Sequence, residues 1–156
     1  MTKTMFRVLA AIAIALTGSQ TLLFAQGNHG PEGTWDINVT VVNCQTGALI
    51  RTIRSLQMFR PDGSVTDTAN TFLRGSGLGS WAQADANKYV ASFWFFRYNP
   101  DGTFKSIAAG LNKYELSGDG SHFTASGTVT DYDATGNVIS VGCVTQAARR
   151  LTATDN

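Results

Sequence analysis

Residues 88–104 read KYVASFWFFRYNPDGTF, and the placing of this stretch decides the fold. Phe93, Trp94, Phe95, Phe96 and Tyr98 put aromatic rings on both faces of an extended segment, which Asn99-Pro100-Asp101-Gly102 then closes with turn chemistry. A strand that is apolar on both faces needs cover on both. Side chains alternate along a strand, so Trp94, Phe96 and Tyr98 share one face and Phe93, Phe95 and Arg97 the other. One set lines an interior, and the other requires a partner surface or a groove.

The flanking text is a series of further strands and turns. From Gly33, the residues Trp35, Ile37, Val39 and Val41 alternate with Asp36, Asn38 and Thr40, as in a half-buried strand. Turns are expected at Gln45-Thr46-Gly47, Pro61-Asp62-Gly63, Ala86-Asn87, Gly118-Asp119-Gly120 and Ala134-Thr135-Gly136-Asn137. In such turns proline presets φ and glycine takes a positive value at no steric cost. The intervening text predicts strands over 48–59, 64–71, 80–85, 103–117, 121–133 and 138–150. In the first of these Arg51 and Arg54 fall on opposite faces, and one of them is expected to point inward. Gly110 is read as a bulge or bend.

Eight strands with short turns and no helical period predict an all-β fold, an eight-stranded antiparallel up-and-down barrel, with a β-sandwich as the alternative. The two cysteines favour the barrel. Cys44 ends the first predicted strand and Cys143 lies near the start of the last, and these strands are neighbours only if the sheet closes. A Cys44–Cys143 disulfide would staple that seam, and counting from it puts Arg150 opposite Ile37.

Lys3 and Arg7, the apolar run 8–16 and the small residue Ala25 have the layout of a signal peptide cleaved after Ala25. Thr17 to Thr21 interrupt the apolar run well short of a bilayer span. The expected organisation is a signal peptide at 1–25, a flexible leader at 26–32, one barrel domain at 33–150 and a tail at 151–156. Cleavage removes two of the 12 basic residues and none of the 11 acidic ones, leaving 10 against 11. That balance argues against a nucleic-acid or anionic-membrane partner. A secreted or periplasmic location also suits the cysteine pair, because an oxidising compartment favours the disulfide.

No catalytic or metal motif is present: His29 and His122 have no identifiable partners, CxxC is absent, and no cofactor is implied. Gly75-Ser76-Gly77-Leu78-Gly79 could cradle a phosphate only by feeding a helix, and none follows. It reads as a connector, or as a lid at a barrel mouth. Asp62, Asp101 and Asp119 are turn acids, and Asp131 and Asp133 end a strand. The candidate pocket lining is Trp94, Phe96 and Tyr98 with Arg97, Tyr114 and Phe123. Plain core packing and a homo-oligomer interface through the aromatic strand are the competing uses of the same rings.

Gly33-Thr34-Trp35 opening the first strand, an eight-strand meander, and Arg149 and Arg150 closing the last together resemble the lipocalins and the wider calycin superfamily. The resemblance implies that Trp35 packs at the closed end of a barrel with an arginine of the last strand across it, and that the other end is a cup for a small, mostly apolar molecule. The chain is also similar in size and strand count to secreted barrels of the allene oxide cyclase and dirigent type. The expected function is binding of a small hydrophobic or amphipathic ligand. The alternatives are a cyclase or isomerase that holds a reactive substrate in one conformation, for which a buried Glu115 of raised pKa would be the mark, and a filled barrel used for association.

Overall fold

The computed structural model describes residues 30–155, so the expected signal peptide and the first residues of the leader lie outside the described residues. The strands are β1 (Gly33–Val42), β2 (Leu49–Phe59), β3 (Ser64–Ala69), β4 (Gly77–Asp85), β5 (Lys88–Tyr98), β6 (Phe104–Leu116), β7 (His122–Tyr132) and β8 (Val138–Arg150). Each pairs antiparallel with its neighbours in sequence, and β8 returns to pair with β1, closing the eight-stranded barrel.

Local chemistry sets the hairpins. In four of them an aspartate opens the corner or lies within it and a glycine closes it at positive φ: Gly63 (81°), Gly102 (83°), Gly120 (69°) and Gly136 (90°). Asp62, Asp101, Asp119 and Asp133 each accept a backbone N–H two residues on, at 2.9–3.0 Å, fixing the turn before the strands pair. Hydrogen bonds from side chains, led by the hydroxyls of Ser64, Thr103, Ser117 and Thr135, and then these backbone N–H groups lower the pKa values of all four carboxyls.

The seam runs from Trp35↔Arg150 to Val42↔Cys143. β1 stops short of Cys44, which reaches the disulfide with Cys143 from the following turn, at a Cα separation of 5.0 Å. The register therefore lies two residues from the one counted with the cysteines opposite each other, and Arg150 faces Trp35 rather than Ile37.

β4 begins earlier than its polar text predicts, at Gly77. The cause is Phe93. A Cβ at Gly77 would lie 3.1 Å from its Cδ2, one at Gly79 would lie 2.5 Å from its Cα, and one at Gly110 would lie 2.9 Å from its Cζ. Gly77 and Gly110, one on each neighbouring strand, thus make the slot that admits the ring, and Gly110 is not a bulge, since β6 keeps its register there.

Bulky side chains fill one end of the barrel. Trp35, Phe59, Tyr114 and Phe123 meet edge-on or tilted, with centroids 4.7–6.4 Å apart, and Tyr89 and Leu116 pack beside them. The Arg150 guanidinium lies 4.4 Å from the Trp35 ring and donates to the carbonyls of Gly120 and Gly30, each at 2.7 Å, and of Glu32. Trp35 Nε1 donates to the Pro31 carbonyl at 2.7 Å, so the end of the expected leader, from Gly30, is tied across this end. Arg149, expected beside Trp35, points outward to Asp36 and Asp155. Consecutive strand residues face opposite ways, so only one of the two arginines can cover the ring.

Candidate functional site

The opposite end, where the disulfide lies, is organised differently. The inward positions on β6, β7 and β8 are small there: Ser106, Ala108 and Gly110, then Gly127, then Gly142. Gly110 borders a cavity of about 50 Å³ whose apolar wall is Val39, Ile53, Phe93, Phe95, Val129 and Val144, and Ser106 and Gly142 lie nearer the mouth. A wider vestibule of about 410 Å³ adjoins it, lined by Ile50, Lys105, Ile139 and Val141 among others. Arg51, Arg97, Val41 and Val129 border both spaces, so the two arginines stand at the neck between them.

A belt of polar side chains crosses the barrel between this cavity and the aromatic plug. Asn112 Nδ2 donates to the Tyr114 hydroxyl at 3.3 Å, that hydroxyl donates to Gln57 Oε1 at 3.3 Å, and Gln57 Nε2 donates to Asp67 Oδ1 at 3.2 Å. Asp67 also accepts from Ser55 Oγ and pairs with the Arg74 guanidinium. Asp67 and Arg74 are almost fully enclosed, with side chains 2% and 9% exposed, a burial tolerable only because each has its partner. Burial pulls Arg74 below the usual arginine value, with Asp67 acting in opposition. Burial in a low-dielectric interior raises the Tyr114 hydroxyl, which stays neutral in its place in the chain.

The belt is incomplete. Asn112 Oδ1 and Gln146 Oε1 are enclosed with no hydrogen-bond partner among the described residues, and both residues line the cavity. Asn112 is 1% and Gln146 6% exposed, so bulk water does not satisfy them. Gly127, paired with Asn112, gives the carboxamide its room: a Cβ there would lie 2.2 Å from Asn112 Oδ1.

Charge at this end is in surplus. Arg97 Nε donates to Asp131 Oδ1 at 2.5 Å, and Asp131 also accepts from Ser106 and Ser140. Arg74 uses Asp67. Arg51, exposed on the mouth side, makes no ion pair among the described residues, and partial burial together with the Arg97 charge pulls its pKa down. Three guanidiniums therefore meet two carboxylates. Arg74 and Arg97 also lie over the Phe95 ring, at 3.7 and 5.1 Å from its centroid.

The expected pocket residues are divided by this geometry. Arg97 lines the cavity. Trp94 and Phe96, expected inside, face outward and are 46% and 51% exposed, because β5 turns Phe93, Phe95 and Arg97 to the interior. Tyr98 lies outside the cavity near Gly75, past a register shift at the end of β5. Tyr114 and Phe123 are interior but belong to the belt and the plug. Glu115 is exposed on the outer face of β6, so the expected mark of a buried acid is not found there. Arg54 also points outward, forming two hydrogen bonds to Asp36 at 2.6–2.7 Å, and Arg51 is the inward member of that pair.

Arg74, Asp67, Asn112 and Gln146 were not singled out by sequence, and Asp131, read there only as an acid ending a strand, is instead largely enclosed and paired with Arg97. Alternation carried on from Phe123, Ala125, Gly127 and Val129 does reach Asp131, so its inward position was available in the pattern. Arg74 had no such signal. It comes from the segment joining β3 to β4, which is held along β5 by Gly75 N–H to Phe96 O at 2.9 Å and Tyr98 N–H to Leu73 O at 2.8 Å. That segment is an extension of the wall, carrying its arginine under the rim.

No protein-family model matches this chain, and no curated protein matches it. The functional reading therefore rests on the two-level cup.

Proposed function

We propose that the protein is an exported binder of a small amphipathic molecule, which enters at the disulfide end and lies against Phe93 and Phe95. The observation that carries this reading is the asymmetry of the interior. One end is plugged by Trp35, Phe59, Phe123 and Arg150, while the other opens from the vestibule into a cavity whose aliphatic and aromatic walls are shared with the charged groups of the neck and the amides of the belt. The Arg150–Trp35 stack supports the lipocalin-like assignment, and the Cys44–Cys143 bridge supports an oxidising location, secreted or periplasmic. A cyclase or isomerase reading gains no support from Glu115, which is exposed.

Native mass spectrometry of the mature protein, purified from the exported fraction of its own host, tests the binder reading. The expected spectrum shows an adduct of a small molecule that survives gentle desolvation. A bare protein mass from every extract would overturn the reading.

The exposed rings of Trp94 and Phe96 support a second element, association of two copies through β5. Their neighbours Leu78 and Leu111, 67% and 55% exposed, extend the same outward face.

A further inference from the structure

We infer that the ligand of the cup is a small planar hydroxy acid, held by its carboxylate at the Arg51–Arg97 neck and by its hydroxyl at Asn112 and Gln146. The inference rests on the binder reading and adds the chemistry of the ligand.

Three independent features specify the three parts of such a molecule. At the neck, Arg51 has no carboxylate partner, and Arg97 engages Asp131 through Nε, leaving both Nη groups without an acidic partner among the described residues. Lys105 adds a further positive charge to the vestibule wall. An anion placed there offsets the surplus charge and accepts charge-assisted hydrogen bonds from a guanidinium, for which a flat carboxylate is the matching shape.

At the floor, the unpartnered atoms are both carbonyl oxygens, Asn112 Oδ1 and Gln146 Oε1. They require donors. A ligand hydroxyl supplies one, and a purely hydrocarbon ligand end would leave both oxygens enclosed without a partner, the costly case for a buried polar group. Between neck and floor lie Phe93 and Phe95, at an interplanar angle of 28° with centroids 6.2 Å apart, with Val39, Ile53, Val129 and Val144 and beside the Asp67–Arg74 pair. The inner cavity of about 50 Å³ is smaller than a whole ring requires, so it takes the hydroxyl with the adjoining ring edge and leaves the rest of the molecule to the neck and vestibule. A small hydroxylated aromatic carboxylate answers the neck and the wall and gives the floor one donor for one of its two oxygens, donor inward and acid outward.

Isothermal titration of the oxidised, mature protein with 4-hydroxybenzoate, benzoate and 4-hydroxybenzyl alcohol provides the test. The expected order has 4-hydroxybenzoate tightest, with each of the others weaker by about tenfold or more, since each lacks one polar anchor. Arg51→Gln is expected to abolish the preference for the acid over the alcohol. Gln146→Met, of similar shape and without the unpartnered oxygen, is expected to abolish the preference for hydroxybenzoate over benzoate. Its melting temperature should be unchanged or higher, which separates loss of recognition from loss of fold. Equal binding of all three probes would overturn the assignment, as would retention of both preferences in these variants. If no probe binds while native mass spectrometry shows a neutral adduct, the hydroxy-acid class is wrong and the cup remains a binding site. If neither is seen, both readings fail.

Discussion

Each end of this barrel lays an arginine on an aromatic ring, yet the two arrangements do different work. At the plugged end Arg150 covers Trp35 and spends its hydrogen bonds on three backbone carbonyls, which close the leader over the ring. At the cup end Arg74 covers Phe95 and is neutralised by a carboxylate on β3, with a cavity beside it. The contrast shows how one strand pattern supports both a closed core and an accessible site. Large rings at the inward positions exclude water and stabilise by area, whereas glycine and alanine at equivalent positions leave volume that only polar pairing can line. The plug is held by packing, and the cup by ion pairs and a covalent seam.

Removing that seam is the strongest way to break the comparison. In the chain-entropy description a bridge closing a loop of 99 residues stabilises by about 4–5 kcal/mol, so Cys44→Ser with Cys143→Ser should lose up to that amount in chemical unfolding. Hydrogen exchange should quicken first at Val41, Val42 and Val144, while Ile37 and Phe123 at the plug stay protected. Uniform acceleration over both ends would show that the two are not separately stabilised.

A smaller effect is expected from Gly110→Ala, which puts a methyl 2.9 Å from Phe93 Cζ. Overpacking of this kind costs about 1–3 kcal/mol, and the displaced ring should also weaken probe binding because Phe93 forms a cavity wall. A variant that loses stability and binds as tightly as before would separate the slot from the cup.

Tyr114→Phe gives the smallest change at neutral pH, about 1 kcal/mol for the lost hydrogen bonds to Gln57 and Asn112. Its signature is in alkali. Burial raises the Tyr114 pKa above its ordinary value of 10.0, so the neutral hydroxyl contributes stability that is complete below that value and is lost as pH rises toward the folded-state value. The variant should therefore show a shallower fall in stability above about pH 10 than the parent, measured by urea unfolding across a pH series. Equal slopes would mean that the belt is open to water.

Much of the architecture was legible because turns and alternation are local. Asp62-Gly63, Asp101-Gly102 and Asp119-Gly120 announce their corners in the text, and the two cysteines join strands that only closure makes adjacent. The start of β4 was hidden, since Leu73 to Gly79 carries loop composition, and the need for glycine there arises from Phe93 on another strand. The pocket was hidden for a related reason. Where both faces of β5 are aromatic, alternation says that Phe93 and Phe95 differ from Trp94 and Phe96 and gives no sign of which pair is inside.

The sequence by itself determined the number of strands, most of their corners, their antiparallel order and the pairing of Cys44 with Cys143, because these follow from residue preferences and chain direction. Only the tertiary structure decided the inward face of β5, the seam register that sets Arg150 on Trp35, and the meeting of Arg51, Arg74, Arg97, Asn112 and Gln146 around one cavity. Those outcomes depend on how five strands and a connecting segment, distant in sequence, fill one closed volume. Packing and charge pairing across the barrel have no local signature in any one of them.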